Sequence, residues 1–159
     1  MEIERKFLIN NYNYKSLAYK SYHILQAYPS IDENCTVRIR LCGNKGFITI
    51  KGRSDEKGLC RYEWNKEISE SEAKELIGLC SKVIDKTRYL IEYKDVVIEV
   101  DEFHGDNDGL VMAEVELPAS DYVLVIPQWF GKEVTGDIKY YNSQLLLNPY
   151  KNWRLDNDL

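Results

Sequence analysis

Charged residues recur at alternate positions in one run after another of this chain. Glu2, Glu4 and Lys6 come first, followed by Arg38 and Arg40, Thr49 and Lys51, then Arg61, Glu63 and Asn65. Lys86 and Arg88, Glu99 and Asp101, and Glu114 and Glu116 complete the series. In an extended strand, residues of one parity share a face. Each set therefore lies on one face, and an apolar row takes the other: Val37, Ile39 and Leu41 oppose the two arginines, and Ala113, Val115 and Leu117 oppose the last two glutamates. Antiparallel sheets commonly have one solvated face, which accounts for any single strand of this kind. The set as a whole is different, because whole strands carry one sign. Two like charges on one face sit ~7 Å apart and repel unless an opposite charge lies between them. Acidic pairs invite divalent cations and basic pairs invite phosphate, so segregation by sign points to a site.

The elements that must position these residues are strands. Turn sequences at 43–46 (GNKG), 55–58 (DEKG) and 104–109 (HGDNDG) separate runs rich in β-branched and aromatic residues. This is the pattern of antiparallel hairpins. It predicts strands near 2–9, 21–28, 35–42, 45–52, 59–68, 83–93, 95–103 and 109–117. Helices are fewer. Ser69 and Glu72 form a capping box that leads into a helix over 73–80. Shorter helices are expected at 14–19, after Pro118, and at about 139–147 before Pro149. The fold class is mainly β (α+β): a closed eight-stranded antiparallel β-barrel with a charged interior and peripheral helices, in one domain over 1–159. Eight strands leave an interior just wide enough for side chains or one small ligand. If the charged rows point inward, they must stay wet, pair with one another or bind something highly charged, since a buried unpaired ion costs several kcal/mol.

Composition narrows the function. The 159 residues are 44% hydrophobic and 30% charged, ordinary values for a globular domain. No run approaches the ~18–20 apolar residues of a membrane helix, and the opening MEIERKFLIN lacks a signal-peptide pattern. No membrane partner and a cytoplasmic location are the expectations. A net charge of −5 argues against general nucleic-acid binding but leaves room for a buried basic cluster. Cys35, Cys42, Cys60 and Cys80 form no CxxC, and His23 and His104 lie far from any cysteine pair, so zinc and a disulfide framework are both disfavoured. Trp129 and Trp153 are read as packing residues, and His104 as solvated in a turn.

Taken in order, these segments resemble the CYTH superfamily, also called triphosphate tunnel metalloenzymes. Glu2-Ile-Glu4-Arg-Lys6 matches the ExExK motif, which is weak alone. Thr36-Val-Arg38-Ile-Arg40, Thr49-Ile-Lys51, Arg61-Tyr-Glu63, Lys86-Thr-Arg88, Val100-Asp101, Ala113-Glu114-Val-Glu116 and Gly131-Lys-Glu133-Val-Thr135 follow in the family's order. The likeness runs from Glu2 to about Leu146, and the closing Tyr140-Tyr141-Asn142 is similar to that of small bacterial members. It implies a tunnel that binds triphosphate with Mg2+ or Mn2+, and hydrolysis of inorganic tripolyphosphate as the activity. Organic triphosphatases (of thiamine or nucleotides) and class IV adenylyl cyclases share the family and remain alternatives. A non-catalytic polyphosphate- or nucleotide-binding module is disfavoured by the acidic pairs, and a lipocalin-like carrier requires reversed faces. A homodimer is compatible with the sequence.

Within that frame the residues take roles. Hard carboxylate oxygens suit magnesium and manganese, and Glu2, Glu4 and Glu116 are the first candidate metal ligands, with Glu114 and Asp101 next. Arg38, Arg40, Lys51, Lys86 and Arg88 would bind phosphate oxygens together with Lys6, while Arg61 would do the same or pair with Glu63. Glu63 is a candidate to activate water, as is Tyr28 acting with Lys6. Many relatives carry R-x-E-x-E on the fifth strand, where this chain has Asn65, so a second metal site or water activation from that strand is in doubt.

Overall fold

The structure, a computed structural model, describes residues 2–154. Strands β1 (Glu2–Ile9), β2 (Lys20–Asp32), β3 (Cys35–Cys42), β4 (Lys45–Ser54), β5 (Cys60–Ile68), β6 (Ile84–Tyr93), β7 (Val96–Phe103) and β8 (Val111–Glu116) form an antiparallel sheet in the order β5-β4-β3-β2-β6-β7-β8-β1. Pairing of Glu2 with Arg61 and of Ile3 with Cys60 joins β1 back to β5 and closes the barrel. The tight hairpins arise where the sequence places them. At Gly43-Asn44 the glycine has φ +60°, as the first central residue of a type II′ turn requires, and Cys42 pairs directly with Lys45.

A ninth strand, β9 (Phe130–Glu133), was not expected. It pairs with the end of β1 through Phe7–Glu133 and Ile9–Phe130, covering the edge that β5 leaves open. At four residues with an internal glycine, it is too short to show an alternating pattern. The helix expected after Pro118 does not form. Residues 118–129 run as turns and irregular chain, because Val123, Val125 and Ile126 are β-branched and Pro127 disfavours helix at the residue before it. The helix at 14–19 is a single turn, α1 (Tyr14–Leu17), and α2 spans Glu70–Gly78 behind the capping box of Ser69 and Glu72. The last helix is broken: a 3-10 turn at Ile138–Tyr140 precedes α3 (Asn142–Leu147), with Tyr141 extended between them.

The charged rows face inward and the apolar rows outward. Phe7, Ile98, Val100, Ala113 and Val115 pack outside the barrel beneath Tyr14 of α1 and beneath Leu124, Trp129 and Phe130. Ile39, Leu41 and Ile48 pack under Ala73, Leu76 and Ile77 of α2. Helices thus cover only part of the outer surface, and on β5 both Tyr62 and Trp64 stay exposed. At one end the inward faces turn apolar. Ile84, Phe103 and Met112 lie on the same faces as Lys86, Asp101 and Glu114, and they meet Val134, Tyr140 and Leu145 of the C-terminal segment. That segment plugs the end of the barrel. Gly58 and Gly136 touch where the β4–β5 loop meets the plug, and a Cβ on Gly58 would come within 2.3 Å of the Gly136 Cα.

Leu145 is 1% exposed and fills the centre of the plug. Leu145→Ala is expected to cost about 2–5 kcal/mol through lost burial and a residual cavity. Urea denaturation monitored by circular dichroism measures it, and a loss below ~1 kcal/mol would mean that the plug does not seal the barrel.

Candidate active site

The inner faces enclose a cavity of about 300 Å³. Glu2, Glu4, Glu63, Glu114 and Glu116 line it as an acidic wall, with Lys51 beside Glu2 and Glu63, and Arg38, Arg40, Lys86 and Arg88 line it as a basic wall. Strand register creates this division. Across β1 and β8, Glu4 stands opposite Glu116 and Lys6 opposite Glu114. The two ends of the described barrel sequence therefore bring their acidic residues together at the seam. Lys6, Arg61 and Tyr28 also line the cavity.

The acidic wall is crowded. Glu2 bonds to Glu63, and Glu4 to Glu114, each as a carboxyl–carboxylate pair. Burial and then the bond to Glu63 push Glu2 up to about 7, even though Lys51 Nζ lies 3.1 Å from it. Burial, with Glu114 next, raises Glu4 well above the usual carboxylate range. Burial also works against ionised Glu63 and Glu114. The protons donated by Glu2 and Glu4, together with neighbouring cations, outweigh it and hold both low. Each pair thus favours a shared proton where a hard cation could sit between the same oxygens. The donor set is all oxygen, which fits a divalent metal of the magnesium or manganese kind and not a thiophilic one. Among the described residues, no three carboxylate, imidazole or thiolate side chains already converge as a closed cage.

Part of the basic wall lacks counter-charges. Among the described residues, Arg38, Arg40 and Arg61 form no ion pair. Arg40 donates from Nε to the Gln26 Oε1 at 3.1 Å, and Arg61 from Nε to the Gly52 carbonyl at 3.2 Å. Arg38 reaches the Thr49 hydroxyl at 3.3 Å, while its buried Nε has no partner. Burial, then Arg38 and Arg88, lowers Arg40 to about 10. Lys86, 1% exposed, is lowered by burial to about 7, only partly offset by Asp101.

Two expected residues are engaged differently. Asp101 does not line the cavity: it accepts from Arg88 Nε and Nη2 at 2.8 and 2.9 Å and from Lys86 Nζ at 2.8 Å. With both oxygens occupied, it anchors two cations and is poorly placed as a metal ligand. Arg88 is forked onto Asp101 and also donates to Glu99 at 3.0 Å. Tyr28 joins a network with Gln26 and Asn142, whereas Lys6 lies 3.8 Å from Glu4 and over the ring of Tyr141. His104 is not merely solvated, since its Nε2 is 2.8 Å from the Thr87 hydroxyl. Trp129 and Trp153 pack against aromatic neighbours, as expected. On β5 the Asn65 Oδ1 accepts from Thr49 at 2.5 Å, and the Asn65 side chain also bonds to Glu63.

Sequence reasoning missed Gln26, Tyr141, Asn142 and Ser143 as site residues, while Glu99 lines the cavity as its place in the charged rows implied. Gln26 shares parity with Tyr28 on β2, so reading that strand's faces would have found it. Asn142 and Ser143 arrive on the plug, for which no strand pattern exists.

A family model described as the CYTH domain matches residues 1–141. The chain is 46% identical over 155 residues to a protein of Acetivibrio thermocellus named inorganic triphosphatase, covering 96% of this chain and 97% of that one. It is 32% identical over 152 residues to a protein of Nitrosomonas europaea with the same name, covering 92% and 97%. The crystal structure of an inorganic triphosphatase superimposes with a TM-score of 0.64 at 29% identity, covering 91% of this chain and 97% of that one. A protein from Hippeastrum, described as a putative adenylyl cyclase with dominant triphosphatase activity, shares the fold at 15% identity and a TM-score of 0.61, covering 75% and 80%.

The raised Glu2 carboxyl has a stability signature. A folded pKa above the unfolded one means that the folded state binds more protons between about 4.5 and about 7. Glu2 therefore costs the metal-free protein stability as pH rises through that window, and the cost is full above it. Glu2→Gln should match the wild type near pH 5 and exceed it at pH 8 in thermal denaturation with EDTA. Equal melting temperatures at pH 8 would show that Glu2 carries no burial penalty.

Proposed function

The chain belongs to the CYTH domain family, and from that premise we propose that it hydrolyses inorganic tripolyphosphate inside the barrel, with Mg2+ or Mn2+ held by the acidic wall. The observation that supports this reading most is the mismatch between the two walls. Among the described residues, three guanidinium groups without ion pairs, one with an orphaned Nε, share the cavity with carboxyl pairs whose burial and mutual contact disfavour full ionisation. A polyanion and a divalent cation, bound together, relieve both sides at once. A simple anion carrier would have no use for the acidic wall.

Phosphoanhydride hydrolysis needs charge neutralisation, in-line positioning and an oriented water. Arg38, Arg40, Lys51, Arg61 and Lys86 bind the phosphate oxygens, with Lys6 between the two walls. Guanidinium forks suit pairs of phosphate oxygens, and the ammonium groups act as point charges. Arg88, fixed by Asp101 and Glu99, adds positive charge behind them without moving. Glu2, Glu4, Glu114 and Glu116 would hold the metal, which when bound would neutralise charge that develops on the phosphates. Magnesium is commonly held by one or two carboxylates plus substrate oxygens, so a partial cage in the protein is enough. Glu63 is the carboxylate that orients the attacking water, because its neighbours keep it ionised and Asn65 fixes its direction. Asn65 itself adds no charge to that wall.

Inorganic phosphate release from tripolyphosphate, pyrophosphate, ATP and thiamine triphosphate, with each metal and with cyclic AMP followed alongside, tests the substrate. Tripolyphosphate should give the highest kcat/KM, and activity should vanish in EDTA. A higher kcat/KM for ATP would overturn the substrate, and cyclic AMP as the main product would make the protein a cyclase.

Arg40→Ala is expected to lower kcat/KM for tripolyphosphate on the order of 10²–10³-fold, the loss typical of a preorganised transition-state donor. Glu4→Gln should be equally severe while leaving the circular dichroism spectrum unchanged. Activity within threefold of wild type in either variant would remove that side chain from the site.

A further inference from the structure

Gln26 is fully buried, and every polar hydrogen and the oxygen of its amide are engaged. Its Oε1 accepts from Arg40 Nε at 3.1 Å. Its Nε2 donates to the Tyr28 hydroxyl oxygen at 2.7 Å and to the Asn142 Oδ1 at 3.1 Å. The Asn142 Oδ1 also accepts from Lys86 Nζ at 2.9 Å.

An amide can be turned end for end without changing its shape, so its direction must be read from its partners. Here one end of the network is a group that only donates. Arginine can offer only hydrogen to Gln26, so the Gln26 oxygen must face Arg40. The Gln26 amide nitrogen then offers only hydrogen to Asn142, so the Asn142 oxygen must face Gln26, where it also meets Lys86. Reversing Gln26 would set an amide N–H against a guanidinium N–H and leave two buried acceptors facing each other. That arrangement forfeits several buried hydrogen bonds at once. Only one direction satisfies every member. In it the Tyr28 oxygen is an acceptor toward Gln26, and the Tyr28 hydrogen must point elsewhere. Tyr28 lines the cavity, and the cavity is where that hydrogen is free to go.

We propose that Gln26 and Asn142 form a one-way amide relay, its direction fixed by Arg40, which makes Tyr28 a hydrogen-bond donor to the bound triphosphate. The proposal rests on the triphosphatase reading above and assigns Tyr28 a role different from water activation. Gln26 is a positioning residue: it acts on substrate through Tyr28 and Arg40. Asn142 brings the C-terminal plug into the site, coupling closure of the barrel end to the orientation of Lys86.

Two experiments test it, one independent of activity. Neutron diffraction of the wild-type protein exchanged into D2O should show deuterium on Gln26 Nε2 directed at the Tyr28 oxygen, with the Tyr28 deuteron pointing into the cavity. A Tyr28 deuteron directed at residue 26 overturns the proposal whether or not the protein is a triphosphatase. The second experiment is a double-mutant cycle with Gln26→Glu and Tyr28→Phe on tripolyphosphate. Glutamate still accepts from Arg40 but captures the tyrosine hydrogen, reversing the relay. Each single variant should lose about 10–100-fold in kcat/KM, the worth of a hydrogen bond to a charged group. In the Tyr28→Phe background, the further loss from Gln26→Glu should be at least about threefold smaller than in the wild type, what remains being the cost of a carboxylate beside Arg40. Losses that multiply in full overturn the relay. Absent turnover by the wild type refutes the triphosphatase reading, and the neutron result then decides the relay alone.

Discussion

An ion removed from water must find an opposite charge, or the fold bears a cost of several kcal/mol. This barrel removes many ions from water at once, and the rest of the structure follows from how they are compensated. Asp101 settles with Lys86 and Arg88, and Lys51 with Glu2. Burial and the neighbouring Glu114 and Glu63 push Glu4 and Glu2 toward their protonated forms. Arg38, Arg40 and Arg61 do not settle at all among the described residues. Asp101 and Arg88 form a frame, and the uncompensated guanidinium groups are among those proposed above to bind phosphate. The ligand-free protein therefore stores an electrostatic imbalance that a metal–triphosphate complex is suited to remove, since it carries both signs in the required order.

Closure of the barrel serves this imbalance. Joining β1 to β5 removes sheet edges and keeps the charged rows at fixed distances. The plug of Val134, Tyr140 and Leu145 then seals one end with apolar contacts. It leaves the polar side chains of Tyr141 and Asn142 facing the cavity. A sealed end lowers the local dielectric and makes each phosphate contact worth more than it would be in water. The same segment that stabilises the barrel therefore sharpens the chemistry inside it.

Much of this was legible in the sequence because the side-chain period of a strand is 2. Parity alone assigned Arg38 and Arg40 to one face and Val37, Ile39 and Leu41 to the other, and the sign pattern said which face was inside. Elements without that period were harder to read. β9 is too short to alternate, and the stretch after Pro118 resembled a helix by position but carries β-branched residues and Pro127. Pairing inside the site was also hidden. Nothing in the spacing of Asp101 distinguishes a metal ligand from an anchor for Arg88, because that depends on which strand lies beside it. Gln26 and Asn142, 116 positions apart, meet only after the plug folds over the barrel.

The central claim is that the two walls are completed together by metal and triphosphate. Its most direct test is calorimetric binding of a non-hydrolysable imido analogue of tripolyphosphate, with and without Mg2+, corrected for chelation of the metal by the free analogue. If the walls are completed jointly, Mg2+ tightens binding at least tenfold, about 1.4 kcal/mol of coupling, and the complex takes up metal with release of protons from the acidic wall. Equal or weaker binding with Mg2+, and no proton release, would contradict the account.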